Sequence, residues 1–276
     1  MPAIWHPARL LSPLLALWLA LAAGQPAQAQ GKLDARYTAS LAGVPLGKGA
    51  WVIDISEGAY SAAASGTTTG LMRVFSSGQG SGTSQGAIAD GLASSINYGA
   101  TLSADKKSED VRISMNAGSV KNFSITPLPP PNPGAIPLTE THRRGVTDPM
   151  AGSLVVVQGN GDVLAPEACQ RKIAVFDGRM RYDLQLNYKR TDRVKAEKGY
   201  DGPALVCAVY FRPIAGYVPD RAAIKYLIKL REMELWFVPV AGTRVLVPFR
   251  FSVPTPLGLG VLEATQFVTV AVAKTQ

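Results

Sequence analysis

The feature that most restricts the fold of this chain is a two-residue alternation of apolar and polar side chains. Residues 33–42 alternate in this way up to Gly43, and a second run extends through residues 51–55. Residues 111–115 and 120–125 repeat the pattern around a short turn. Successive side chains of a strand point to opposite faces, and short turns join antiparallel neighbours. The pattern therefore predicts an antiparallel meander.

The second half of the chain contains further apolar runs that predict strands. They are residues 173–176, 180–186, 204–211, 234–238, 244–251 and 260–273. Two other stretches remain open. Residues 220–231 fit a short helix or another strand. Residues 76–91 are rich in Gly, Ser and Thr, and fit a flexible loop or strands of small residues that face a crowded interior.

A proline-rich segment divides the N-terminal meander from the remainder. Residues 127–137 contain six prolines. Proline lacks a backbone N–H and cannot join a sheet interior, so this segment is expected to run extended along the surface. It either separates two domains or links two halves of one sheet. We favour a single β-rich domain over residues 30–276.

The best helix signal follows these prolines. Thr147-Asp148-Pro149 places capping side chains before a proline, and the residues from Met150 to Val157 give an apolar face that Gly159 ends. This order is typical of a helix start. Because the segment has few polar residues, we expect its helix to be buried against or inside the sheet.

The N-terminus predicts export. Arg9 precedes an apolar run from Leu10 to Ala23, and Ala27-Gln28-Ala29 supplies the small residues that signal peptidase needs. Residues 1–29 are therefore predicted to be a signal peptide, with Gln30 first in the mature protein. We find no later apolar segment of about 18 residues, so no transmembrane segment is expected after cleavage, and the predicted location is the periplasm.

Charge and composition argue against several kinds of partner. The formal net charge is +8, but the basic residues are scattered along the chain, which is more typical of a solubility feature than of a nucleic-acid site. Only His142 remains as a histidine after processing, and no zinc-type cluster is evident. We therefore expect no nucleic acid and no cofactor; the sequence leaves the oligomeric state open.

The two cysteines predict one disulfide. Cys169 and Cys207 both lie in the mature chain, and two thiols in an oxidising compartment most often pair. Their spacing excludes a Cys-x-x-Cys redox motif.

One motif suggests catalysis. Residues 82–86 match G-x-S-x-G, with Ser84 in the place of a nucleophile. That motif requires a strand before the serine and a helix after it, whereas Gly and Ser precede it here. An envelope-polymer hydrolase that uses Ser84 or a carboxylate with His142 is the alternative hypothesis. It predicts a pocket that joins residues 84 and 142.

The most distinctive local string is VFDGRMRYDL at residues 175–184. Asp177-Gly178 predicts a tight hairpin turn, and Arg179, Arg181 and Asp183 alternate onto one face. That charged face is either a salt-bridged hairpin surface or a contact for a ligand or partner. Among the aromatic residues of the late strands, Trp236 and Phe237 are candidates to line a binding groove, with core packing as the alternative.

These motifs resemble domain-of-unknown-function family 3108. The resemblance rests on Tyr37 with residues 43–47, on the Thr147-Asp148-Pro149-Met150 start, on the 175–184 hairpin and on the strand at 234–237. It implies a mainly β fold: a long antiparallel sheet wound into an open barrel or β-spiral around a short buried helix. It also implies a role in cell-envelope integrity without an established enzymatic activity.

The leading hypothesis is therefore a non-enzymatic periplasmic protein that supports the cell envelope. The concave face of an open barrel suits a lipid-like ligand, a peptide or part of an envelope protein.

Overall fold

A computed structural model describes residues 2, 30–56, 58–69, 78–105 and 107–272. The predicted signal peptide, apart from Pro2, lies outside these residues. Within the described ranges, no helix is both long enough and apolar enough to cross a membrane.

The N-terminal half is the predicted meander of seven antiparallel strands. These are β1 Gly31–Leu41, β2 Val44–Ser56, β3 Ala59–Thr68, β4 Gln79–Ala89, β5 Leu92–Ala104, β6 Lys107–Asn116 and β7 Ser119–Thr126. Buried and exposed side chains alternate along the first seven residues of β1, because one face of the strand packs on the core. Most of the Gly/Ser-rich segment at 76–91 is the strand β4, which pairs with β5 over its whole length and with β3 from Gln79 to Ala87; residues 76 and 77 lie outside the described residues.

The C-terminal half adds eight strands and one α-helix. They are β8 Val155–Val156, β9 Arg171–Phe176, β10 Arg181–Lys195, β11 Lys198–Gly199, β12 Asp201–Ala215, α1 Ala222–Lys229, β13 Met233–Pro239, β14 Val245–Thr255 and β15 Gly258–Ala271. Three short 3-10 turns occupy Glu140–Arg143, Ala151–Ser153 and Pro166–Cys169. The segment at 220–231 thus contains a helix rather than a strand.

All fifteen strands in the described residues belong to one sheet. The main path runs β7-β6-β5-β4-β3-β2-β1-β15-β14-β13-β12-β10-β9, while β8 pairs with β14 and β11 pairs with β15. The antiparallel ladder between β1 and β15 joins the two halves of the chain. The two outer strands of the path, β7 and β9, do not pair with each other, so the sheet is wound but not closed. The predicted open barrel is confirmed.

The proline-rich segment lies outside the sheet, between β7 and the first 3-10 turn. Near its end, Ile136 donates a backbone hydrogen bond to Tyr217 and accepts one from Gly216, just after β12. Most of the segment is exposed, as expected for prolines that cannot join a ladder.

The predicted helix from Met150 to Val157 is wrong in its conformation, although its burial is confirmed. Within this segment, only residues 151–153 are helical, and they form a single 3-10 turn. Leu154 is extended, and Val155 and Val156 pair with Leu246 and Val245 of β14. β-Branched side chains such as valine favour extended backbone. The free edge of β14 at Val245 and Leu246 provides the hydrogen-bonding partner for this extended segment, and the apolar pattern of residues 150–157 gives no sign of that pairing. We call residues 148–156 the plug.

Buried side chains surround the plug. One core lies inside the curved sheet and combines Leu154 and Val156 with residues from β1 to β3 and from β12 to β15. A second core covers the opposite face of β12 to β14, where α1 and the third 3-10 turn pack. Both faces of the C-terminal strands are therefore buried, which explains their long apolar runs.

Candidate functional site

The two unpaired edges of the sheet meet through a short extended segment. The Val146 N–H donates to the Gly118 carbonyl in the β6–β7 turn at 2.9 Å, and Thr147 exchanges backbone hydrogen bonds with Ala174 and Phe176 of β9, both at 2.9 Å. The rings of Phe123 on β7 and Phe176 pack edge to face, with centroids 5.5 Å apart. We call this junction of residues 145–147 with the β6–β7 hairpin and β9 the seam.

A buried polar network fixes the plug next to the seam. The Ser84 hydroxyl on β4 donates to the Asp148 carboxylate at 2.7 Å and lies 2.9 Å from the Tyr60 hydroxyl. The second carboxylate oxygen of Asp148 accepts from the N–H groups of Met150 and Ala151 at 2.7 and 2.9 Å. Ser84 and Asp148 are completely buried. Burial raises the pKa of Asp148 above its usual range, while these hydrogen bonds oppose the shift.

A cavity of about 750 Å³ lies beside the plug and the seam. Its size falls in the range of small-molecule sites. The β4–β5 turn at Gly91 and the β6–β7 turn at Gly118 also line it. We call it the seam cavity. Its larger apolar lining residues are Leu92, Val146, Leu154, Val156, Val157 and Ile173, and its charged lining residues are Asp90, Glu167, Arg171 and Lys172.

Arg171 is the half-buried cation of this cavity. It donates from Nε to the Ala168 carbonyl at 2.9 Å and from Nη2 to the Val156 carbonyl at 3.2 Å. Burial lowers the pKa of its guanidinium, because the charged form has lost part of its hydration. Lys172 instead points toward Asp183, at 3.9 Å.

The predicted disulfide is confirmed and lies next to the cavity. Cys169 and Cys207 are bonded, with Cα atoms 5.5 Å apart, and both residues are completely buried. The bond attaches the 3-10 turn Pro166–Cys169 to β12. Since Glu167 and Ala168 of that turn line the seam cavity, the disulfide holds one of its walls.

The structure does not bring Ser84 and His142 together as the hydrolase hypothesis requires. Ser84 lies within β4 and bonds to Asp148 and Tyr60. His142 is half-buried on the first 3-10 turn, where its Nδ1 contacts Thr139. A nucleophile elbow places its serine on a sharp turn after a strand, and the middle of β4 is not such a turn. Neither residue lines the seam cavity.

The charged residues of the predicted hairpin form ion pairs instead of one open surface. Asp177 accepts from the N–H groups of Arg179 and Met180 at 2.8 and 2.7 Å, which confirms the tight turn. Arg179 forms an ion pair with Glu109 of β6, across the seam. Arg181 and Asp183 lie 2.6 Å apart, and both side chains are largely buried.

Trp236 and Phe237 point into different cores. Trp236 lies on the inner face of β13, with the guanidinium groups of Arg190 and Arg250 over its ring at 5.5 and 4.9 Å. Phe237 is completely buried on the opposite face. Together with the ion pairs above, this geometry means that Arg179, Arg181, Asp183, Trp236 and Phe237 do not form a common binding surface.

A second, smaller cavity of about 430 Å³ lies on the N-terminal strands. Side chains from β4 to β7 line it, and many of them are polar, including Gln85, Asn97, Arg112 and Asn122. Neither cavity carries a metal-binding cluster: within the described ranges, no group of three His, Cys, Asp or Glu residues is placed to hold an ion. The larger and more enclosed seam cavity is therefore the better candidate site.

The fold and the cavity define a mainly β protein with an open barrel around a short plug. The chain belongs to the family described as Protein of unknown function (DUF3108), whose model matches residues 36–265. The resemblance noted in the sequence motifs is thereby confirmed.

No curated protein matches the chain. Among solved structures, it is similar to a beta-barrel-like protein of domain of unknown function DUF1849 from Brucella abortus, at 9% identity and a TM-score of 0.46, covering 88% of this chain and 98% of that one. It is also similar to a protein provisionally named as a lipoprotein from Parabacteroides distasonis, at 13% identity and a TM-score of 0.31, covering 87% and 96%.

Proposed function

We propose that this protein is a non-enzymatic binding protein of the periplasm that holds an apolar ligand in the seam cavity and supports the cell envelope. The observation that carries the proposal is the cavity itself: about 750 Å³, walled by aliphatic side chains of the plug, the seam and β9. Apolar walls with a few polar groups are typical of sites for small hydrophobic ligands.

Two further observations support the location and the absence of catalysis. The Cys169–Cys207 disulfide is typical of an oxidising compartment, in agreement with the predicted signal peptide. The buried Ser84–Asp148 contact joins the plug to β4, so a structural role explains why these two polar side chains are buried together. Binding in the seam cavity is then the simplest use of the site.

The proposal predicts that filling the seam cavity abolishes binding of an apolar probe. Ala93 on β5 lines the cavity, and Ala93→Phe places a ring in it. We expect at least a tenfold loss of affinity for the fluorescent probe N-phenyl-1-naphthylamine, measured by titration. A loss of about 1.4 kcal/mol of binding free energy corresponds to that factor.

Ala63→Phe is the matched control, because Ala63 is exposed on β3 and does not line the cavity. This variant should bind the probe like the wild type. Thermal unfolding should show that both variants are folded. Unchanged affinity in a folded Ala93→Phe protein, or no probe binding by the wild type, would refute the proposal.

A further inference from the structure

We infer that the ligand of the seam cavity is an amphiphile with an anionic head group, which binds at Arg171. This inference rests on the proposed function and adds the ligand's chemical class to it. Among the charged residues that line the cavity, Arg171 is the one whose side chain is half-buried in the wall beside β8 and the third 3-10 turn.

Arg171 retains unused donors. A guanidinium carries five N–H groups, and the described contacts occupy one on Nε and one on Nη2. The hydrogen bonds go to neutral carbonyls of Ala168 and Val156. Among the residues that the structure describes, no carboxylate forms an ion pair with Arg171. A partly desolvated cation without a counter-ion favours an incoming anion.

The other charges at the cavity do not provide that counter-ion. Asp90 and Glu167 are exposed, so solvent and salt screen them. Lys172 faces Asp183. A carboxylate or phosphate head at Arg171 would leave an alkyl tail against Leu154, Val156 and Ile173, which line the same cavity.

Arg244 provides an internal comparison. Its Nε donates to the Val157 carbonyl at 3.1 Å and its Nη2 to the Gln158 carbonyl at 3.4 Å. It therefore binds the backbone of the adjacent segment much as Arg171 does, but it does not line the cavity. Substituting either arginine removes hydrogen bonds to the backbone, but only substitution of Arg171 changes the lining of the cavity.

The test measures the affinity of the mature protein for decanoate, decyl phosphate and decanol by calorimetry at neutral pH. The three probes share one alkyl chain and differ in the head group. We expect the wild type to bind one or both anions at least tenfold more tightly than decanol, and the stronger anion distinguishes a carboxylate from a phosphate source. Arg171→Gln should bind all three within a factor of two or three, whereas Arg244→Gln should keep the wild-type preference.

Each failure has a distinct meaning. Equal binding of the anions and decanol by the wild type, or a preserved anion preference in Arg171→Gln, overturns the inference and leaves the proposed function standing. No binding of any probe overturns both. If Arg171→Gln does not fold, the wild type decides: its affinity for the anion, and not for decanol, must fall as salt is raised.

Discussion

At the scale of single residues, Asp148 determines how the plug is attached. Its carboxylate connects Ser84 on β4 to the backbone of Met150 and Ala151. A buried carboxylate is stable only when its oxygens are hydrogen-bonded, and here both oxygens accept. The same burial raises the pKa of Asp148, so the attachment is sensitive to pH.

Replacing Asp148 with Asn is expected to change the pH dependence of stability. The pKa of Asp148 is higher in the folded than in the unfolded protein. Between the two values the folded state binds more protons, and the free energy of unfolding falls as the pH rises. The Asn variant should lack this fall. Urea unfolding of both proteins from about pH 4 to about pH 8 measures the difference.

Ser84→Ala tests the hydrogen bond that opposes this shift. The Ser84 hydrogen bond lowers the pKa of Asp148, so its removal should raise that pKa further and extend the fall in stability to higher pH. If the free energy of unfolding changes with pH in the same way in the wild type and in Asp148→Asn, Asp148 is not the group that makes stability depend on pH.

The capping role of Asp148 could be predicted from the sequence, because it depends on three adjacent residues. Its contact with Ser84 could not. The two residues are 64 positions apart, and they meet only because the sheet curves around the plug. The G-x-S-x-G match contains this serine, but Ser84 lies in the middle of β4 and not on the sharp turn of a nucleophile elbow.

At the scale of elements, the disulfide fixes a short 3-10 turn that makes few backbone bonds of its own. The turn Pro166–Cys169 lies between the plug and β9 in the chain, and its attachment point, Cys207, is in the middle of β12, between β10 and β13. The position of the cavity wall at Glu167 and Ala168 therefore depends on a covalent bond.

Removing this bond is expected to destabilise the protein by about 4 kcal/mol, since the closed loop spans 38 residues. The comparison is between the wild type and Cys169→Ala/Cys207→Ala in urea. Reduced wild type is the control, because it lacks the bond but keeps both side chains in the core. If the oxidised wild type, the reduced wild type and the variant unfold at the same urea concentration, the disulfide has no stabilising role.

Local patterns predicted most strands and misassigned one segment. The runs at 33–42 and 111–115 are strands because their alternation reflects one buried face. The segment 150–157 has apolar residues at a helical spacing, yet Val155 and Val156 pair with β14. That pairing depends on a strand about 90 residues later, and no local signal describes it.

At the scale of the whole molecule, the seam connects the two ends of the open sheet. It depends on contacts between residues far apart in sequence, such as Arg179 with Glu109 and Phe123 with Phe176. Sequence reasoning identified the β9–β10 hairpin but not its partner across the seam. For the same reason it missed the cavity, whose lining comes from turns and strand ends in several parts of the chain.

A substitution at Gly178 tests how closely the residues on the two sides of the seam pack. A Cβ atom at this position would lie 2.9 Å from Cγ1 of Val111 on β6, whereas one at Gly43 would meet nothing within 4 Å. Both glycines have positive φ, 94° and 81°, so alanine strains the backbone at each. We expect Gly178→Ala to lose about 1–2 kcal/mol more stability than Gly43→Ala in urea unfolding. Equal losses would contradict close packing across the seam.

The pairing of β1 with β15 also determines when the sheet can be completed. Strand β1 lies at the middle of the strand order, and its eleven residue pairs with β15 involve positions 260–271. A ribosome makes β1 more than two hundred residues before that partner. The central ladder therefore forms only after residues 260–271 have been synthesised, and this high contact order favours slow folding. A chain that completes its fold late stays unfolded for longer, which is compatible with the export that its N-terminus predicts.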